Sequence, residues 1–155
     1  MRRSFWVGLL ASFLLLAEIY EPALLFGQVV RVVDGDTLLV EANQSVSRVR
    51  LAKVDAPELS QPYGLEAKNF LAQQVQGKNV ELLCRRRDRY GRLVCRLVVE
   101  GRDINLLLVR QGLAWGEGDY YAEMEKAQQK RLGLWQEENP MHPKLWRQKR
   151  KKSSQ

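Results

Sequence analysis

Apolar and β-branched residues fall first into short runs of strand-like period and later onto helical spacing. Residues 28–33 and 37–41 read as two strands joined by the turn signal Asp34-Gly35-Asp36. After a polar stretch over 42–47, Arg48-Val49-Arg50-Leu51 alternates, which puts Arg48 and Arg50 on one face of a third strand ending before Pro57. Residues 65–76 carry Ala67, Phe70, Leu71 and Val75 near helical spacing, with Gly77 as the stop. Two further strands, 80–84 and 93–99, flank the basic turn 85–91. Asp103 is placed to cap a helix over 104–111, and Asp119 another through about residue 131, with Gly112 and Gly133 as their stops. Five strands with a helix between the third and fourth predict an α+β fold: a five-stranded OB-fold β-barrel with three packing α-helices.

The two ends depart from this pattern. Met1-Arg2-Arg3 precedes an uncharged run from Phe5 to Ala17, apolar but for Ser12, the length of a signal h-region and too short for an ordinary transmembrane helix. Small residues follow at Ala17, Ala23 and Gly27, none with a clean partner two positions earlier. Residues 1–27 are therefore read as a signal peptide or an N-terminal signal anchor, the second leaving a membrane tether through 5–26. Either way the folded part, 28–138, is expected to be exported, secreted or periplasmic. Residues 139–155 include Trp146-Arg147-Gln148-Lys149-Arg150-Lys151-Lys152, a basic run without apolar period, and are expected to be a flexible tail.

Composition narrows the partner. Lys and Arg number 25 against 18 Asp and Glu, a net +7, which favours nucleic acid or anionic membrane. Removing 1–27 takes away Arg2 and Arg3 but also Glu18 and Glu21, so the surplus belongs to the domain. The one histidine, His142, excludes a multi-histidine metal nuclease on that count, and is read as inert near the tail. Cys84 and Cys95 flank the expected hairpin; a disulfide and two buried thiols are both open. Trp115, Trp135 and the leucines of 104–108 are read as core.

Four short stretches carry the candidate chemistry: Asp34-Gly35-Asp36-Thr37, Arg50 to Glu58, Tyr63-Gly64 with Glu66-Ala67, and Asp88-Arg89-Tyr90-Gly91-Arg92. Each alone is an ordinary turn or loop. Together they suit hydrolysis of a phosphodiester, which must neutralise a five-coordinate phosphorus, position a water and release an oxygen. Asp36 and Asp55 could hold a hard cation. Arg50 and Arg92 could clamp phosphate oxygens with planar donor forks that lysine lacks. Glu58 could serve as general base or orient the water.

In these stretches, and in Leu108-Val109-Arg110-Gln111-Gly112-Leu113-Ala114, the chain resembles the staphylococcal nuclease (thermonuclease) family, with the motifs in the same order from about Val29 to Trp135. The resemblance implies a calcium-dependent endonuclease acting on DNA and RNA, single-stranded or frayed by preference, as a monomer, leaving 3′-phosphate ends. It implies Arg50, Glu58 and Arg92 as the catalytic set. Asp36, Asp55 and the main-chain carbonyl of Ala56 would bind Ca2+, with Asp34 just outside, and Arg89 and Tyr90 would contact substrate. The loop before Tyr63 is shorter than in the best-known member. So is the stretch from Trp115, where Tyr120 or Tyr121 would have to replace the family's base-stacking tyrosines. The rival expectation is a non-catalytic OB-fold nucleic-acid-binding module, which would have no use for the whole set of acids and arginines.

Overall fold

A computed structural model describes residues 23–153. In chain order its elements are β1 (Ala23–Val32), β2 (Thr37–Ala42), β3 (Ser45–Leu51), β4 (Val54–Asp55), α1 (Gly64–Val75), β5 (Asn79–Arg87), β6 (Leu93–Val99), β7 (Arg102–Asp103), α2 (Ile104–Arg110), β8 (Trp115–Gly116), α3 (Tyr121–Gln129) and α4 (Pro143–Ser153). The long strands lie in the order β3-β2-β1-β5-β6, antiparallel throughout, and β3 then pairs parallel with β6 from Val49↔Leu93 to Leu51↔Cys95. That one parallel seam closes the sheet on itself and removes its open edges. The expected α+β, five-stranded barrel is thus the observed fold, with four helices in place of three.

Period-two alternation explains which side chains enter the barrel. Leu38 and Val40 of β2, Val49 and Leu51 of β3, Val80 and Leu82 of β5, and Leu97 and Val99 of β6 are all buried. Ala67, Leu71 and Val75, four residues apart on α1, cap one end, while Ile104 and Leu108 of α2 pack on another side. Each such Leu or Val contributes about 1.5–3 kcal/mol of transfer free energy. Asp103 does cap α2, accepting the Leu106 N–H at 3.0 Å. Asp119 does not cap α3: it is drawn 66 residues back in sequence to Lys53, 2.6 Å away, and a short 3-10 turn, Gly118–Tyr120, leads into the helix instead.

Two expectations at the chain ends are corrected. The domain does not start at 28, because β1 pairs with β5 from Ala23↔Cys84 through Gly27↔Val80. Residues 23–26 are apolar and merge in sequence with the N-terminal segment, which hid the start of the strand. The apolar run 5–17 lies outside the described residues. The expected flexible tail is mostly helix α4. It shows no apolar stripe because polar contacts to the barrel hold it, and Pro143 supplies a ready first turn. Its last turn carries Arg150, Lys151 and Lys152, favourable at a helix C-terminus. Among the described residues no helix is long and apolar enough to cross a membrane.

Cys84 and Cys95 face each other across β5 and β6, with Cα atoms 4.0 Å apart, and are joined as a disulfide. The bond closes a loop with a sequence separation of 11, which by loop-closure entropy is worth about 2–3 kcal/mol. The double variant Cys84→Ser/Cys95→Ser should lose about that much stability in urea. Reductant should lower the Tm of the parent and leave the variant unchanged; equal sensitivity in both would contradict the bond.

Candidate active site

The site is built where the β1–β2 turn meets the chain leaving β3. Asp34 Oδ1 accepts the Asp36 N–H at 3.1 Å, and Val33 N–H reaches Thr37 O at 2.9 Å, so the turn is tied at both ends. Gly35 sits against its neighbours so closely that a Cβ there would lie 2.6 Å from Ala56 Cβ and 2.8 Å from Ala67 Cβ. The turn is thereby pressed onto α1 and onto the segment carrying Asp55. Asp36 turns inward, its Oδ2 accepting the Ala56 N–H at 2.7 Å and its Oδ1 the Thr37 hydroxyl at 3.1 Å.

Arg50 lies opposite Thr37 in the β2–β3 register. Its Nη1 donates to the carbonyls of Leu51 (2.6 Å) and Val54 (2.7 Å), which the chain brings round it in a bend where Lys53 takes a φ of 57°. Its Nη2 is 2.8 Å from Asp55 Oδ1 and 3.2 Å from Asp36 Oδ2. Asp55 is held by β4, which pairs with β8 through Asp55↔Trp115. Burial pushes the Asp36 carboxyl up to about 7; Arg50 opposes the rise, and the nearby Asp34 and Asp55 charges add to it.

Glu58 follows Pro57 on a loop whose shape is set by contacts, since its N–H donates to Gln61 Oε1 at 2.8 Å. A Cβ at Gly64 would fall 1.9 Å from Glu58 O, so only glycine allows α1 to begin this close. Arg92 comes from the β5–β6 turn. Asp88 orders that turn: Oδ1 accepts the N–H of Tyr90 (2.9 Å) and of Arg92 (3.0 Å), while Oδ2 takes Arg92 Nε at 2.7 Å. Burial works to raise the Asp88 carboxyl, but the Arg92 guanidinium and these N–H groups hold it below the usual range. Tyr90 is 68% exposed, with the guanidiniums of Arg89 and Arg92 over its ring at 4.8 and 5.5 Å.

All nine residues singled out from sequence, Asp34, Asp36, Arg50, Asp55, Ala56, Glu58, Arg89, Tyr90 and Arg92, line one cleft of about 340 Å³. Thr37, Pro57 and Arg147 complete its lining. Arg147 was missed, placed in the expected tail; its Nη1 is 2.5 Å from Glu58 Oε1. His142 sits near the site: its Nε2 is 3.9 Å from Asp55 Oδ2 and its ring lies 4.9 Å from that of Trp115. Only the Pro143 helix-start signal could have drawn attention to either. Neither Tyr120 nor Tyr121 lines the cleft, and Tyr120 is buried with its hydroxyl on Asp103 Oδ2 at 2.9 Å.

Whether the residues suit a metal can be judged from the donors. Asp36 and Asp55 converge on one cationic atom, Arg50 Nη2, and the buried Asp36 lacks enough positive charge to keep its proton affinity low. Two carboxylates form a hard, oxygen-only donor set, which fits a hard divalent cation of the calcium kind better than a soft one. Among the described residues no group of three His, Cys, Asp or Glu side chains is arranged to hold an ion by itself, so water and main chain would complete the sphere.

A closed five-stranded barrel with acids and arginines gathered at one cleft is an arrangement suited to hydrolysis of phosphate esters. Residues 48–137 match the family described as staphylococcal nuclease homologue. The chain belongs to that family and is a nuclease of its class. It is 41% identical over 132 residues to an uncharacterized endonuclease of Haemophilus influenzae, covering 80% of this chain and 74% of the relative. It is 36% identical over 131 residues to an uncharacterized endonuclease of Escherichia coli O157:H7, covering 80% and 86%. A micrococcal nuclease of Shigella flexneri is 34% identical over 145 residues, 83% of each chain.

The Asp88 contacts yield a test. Asp88→Ala frees the Arg92 guanidinium, and a displacement of about 1 Å can cost on the order of a hundredfold. Hydrolysis of single-stranded DNA should therefore fall by about that factor in kcat/KM. A rate within twofold of the parent would show that Arg92 needs no such anchor.

Proposed function

We propose that the protein is a calcium-dependent endonuclease that hydrolyses phosphodiester bonds of DNA and RNA and leaves 3′-phosphate ends. The observation that carries this is the convergence of Asp36 and Asp55 on Arg50 Nη2, at 3.2 and 2.8 Å, in the cleft that also holds Glu58 and Arg92. Asp36, Asp55 and the Ala56 carbonyl would hold the ion, which supplies charge neutralisation at the phosphate when bound. Arg92, held through Nε by Asp88, keeps both Nη groups for the phosphate; Arg50, anchored through Nη1 on two carbonyls, would turn Nη2 to the phosphate with an ion on Asp36 and Asp55, and these contacts strengthen as charge builds on its oxygens. Glu58 takes a proton from the attacking water or orients it. The new bond forms from water oxygen to phosphorus, the bond to the 5′-oxygen breaks, and that oxygen leaves with the electron pair and picks up a proton. Exposed Tyr90 at the cleft suits an unstacked base, which favours single-stranded or frayed substrate.

A module that only bound nucleic acid would gain nothing from a buried acid whose ionisation is costly, so the hydrolytic reading is preferred. The same proposal places the protein outside the cytoplasm, supported by the Cys84–Cys95 disulfide and the apolar run after Arg3.

Purified protein should cleave single-stranded DNA and RNA in calcium and stop on addition of a chelator. Undiminished cleavage after chelation would remove the metal from the account. Arg50→Ala and Arg92→Ala should each lower kcat by about 10²–10³, the usual loss for a transition-state donor. Near-normal turnover in both would discard the clamp. Glu58→Gln should lower kcat far more than it raises KM; the reverse pattern would assign Glu58 to binding alone.

A further inference from the structure

Helix α4 contains six cationic residues among its eleven (Lys144, Arg147, Lys149, Arg150, Lys151 and Lys152) and no acid. It is fastened beside the cleft. Trp146 Nε1 donates to Ser60 Oγ at 3.2 Å, Arg150 Nη1 to the same oxygen at 3.1 Å, and Gln61 Nε2 to Met141 O just ahead of the helix at 2.9 Å. The His142–Trp115 ring contact adds a fourth attachment. These contacts direct Arg147 into the cleft, where Nη1 holds Glu58 and Nη2 stands 3.8 Å from Asp55 Oδ2. The family match ends at residue 137, so this arm lies beyond it.

We propose that α4 is an arm of the substrate site and that Arg147 is a third phosphate-binding arginine, whose contact with Glu58 exchanges for a phosphate oxygen when a polynucleotide enters. This rests on the nuclease reading of the cleft. The Arg147 side chain is half exposed, and an ion pair that exposed is weak enough to exchange. Guanidinium forks bind phosphate in preference to presenting a point charge, and the exchange leaves Glu58 free to act on water. Lys144 and Lys151, three residues before and four after Arg147, share its side of the helix, so cations recur about every turn, roughly 5.4 Å, along that side. That spacing suits the backbone of a single strand leading out of the cleft.

The test is equilibrium binding of a fluorescein-labelled single-stranded oligodeoxynucleotide to the whole protein in EDTA, across a series of KCl concentrations. Arg147→Ala should weaken binding at least about fivefold and make the slope of log K against log salt shallower by about 0.7, the loss of one phosphate contact. Arg147→Lys should restore the slope. An unchanged slope, whether or not affinity falls, overturns the proposal, because a purely structural loss does not remove a counterion-releasing contact. Tighter binding by Arg147→Ala also overturns it and would make α4 a competitor of the substrate. The measurement needs neither metal nor cleavage, so it fails separately from the calcium-dependent hydrolysis assay.

Discussion

The structure turns on the Arg50 guanidinium. One of its nitrogens is held by the carbonyls of Leu51 and Val54, and the other by the carboxylates of Asp36 and Asp55. The carbonyl contacts fold the chain sharply after β3, which brings Asp55 back beside a residue only five positions earlier. The carboxylate contacts join that bend to the β1–β2 turn. A single charged group thus closes the local geometry of three segments and bridges two acids that would otherwise repel, offsetting only part of their charge. Its partial burial keeps water from weakening the arrangement.

Around this centre the barrel acts as a rigid frame. The parallel pairing of β3 with β6 places the end of β3, where Arg50 sits, beside the start of β6, where Arg92 emerges from its turn. The Cys84–Cys95 bond ties β5 to β6 just below that turn. Glu58 is brought in on a separate loop by Gln61 and by the glycine that opens α1. Preorganisation of this kind is what a phosphoryl site needs, because its donors must already face the place where charge develops.

The cleft carries both signs of charge. Four acids, Asp34, Asp36, Asp55 and Glu58, and four arginines, Arg50, Arg89, Arg92 and Arg147, line it together. Of the acids only Asp36 is buried, and its ionisation is suppressed; Asp34, Asp55 and Glu58 are half-buried, while Tyr90 lies exposed beside Arg89 and Arg92.

Much of this was legible in the sequence, because it is written in local signals. Strand alternation, the Asp34-Gly35-Asp36 turn, the Asp103 cap and the spacing of acids and arginines each act over a few residues, and family motifs preserve them in order. The barrel class and the nine cleft residues could be read that way. The rest depends on contacts between distant segments. Asp119 left its helix for Lys53, 66 residues away, because an ion pair was available there. The strand at 23–27 was hidden by its own hydrophobicity until β5 supplied a partner. Arg147 reached the cleft through α4, which is held by polar contacts to Glu58 and Ser60, more than eighty positions earlier, and so has no periodic apolar signature. Local pattern determined the barrel and its chemistry, and only the tertiary structure decided that the basic end of the chain belongs to the site, since that depends on where Ser60, Gln61 and Glu58 lie in space.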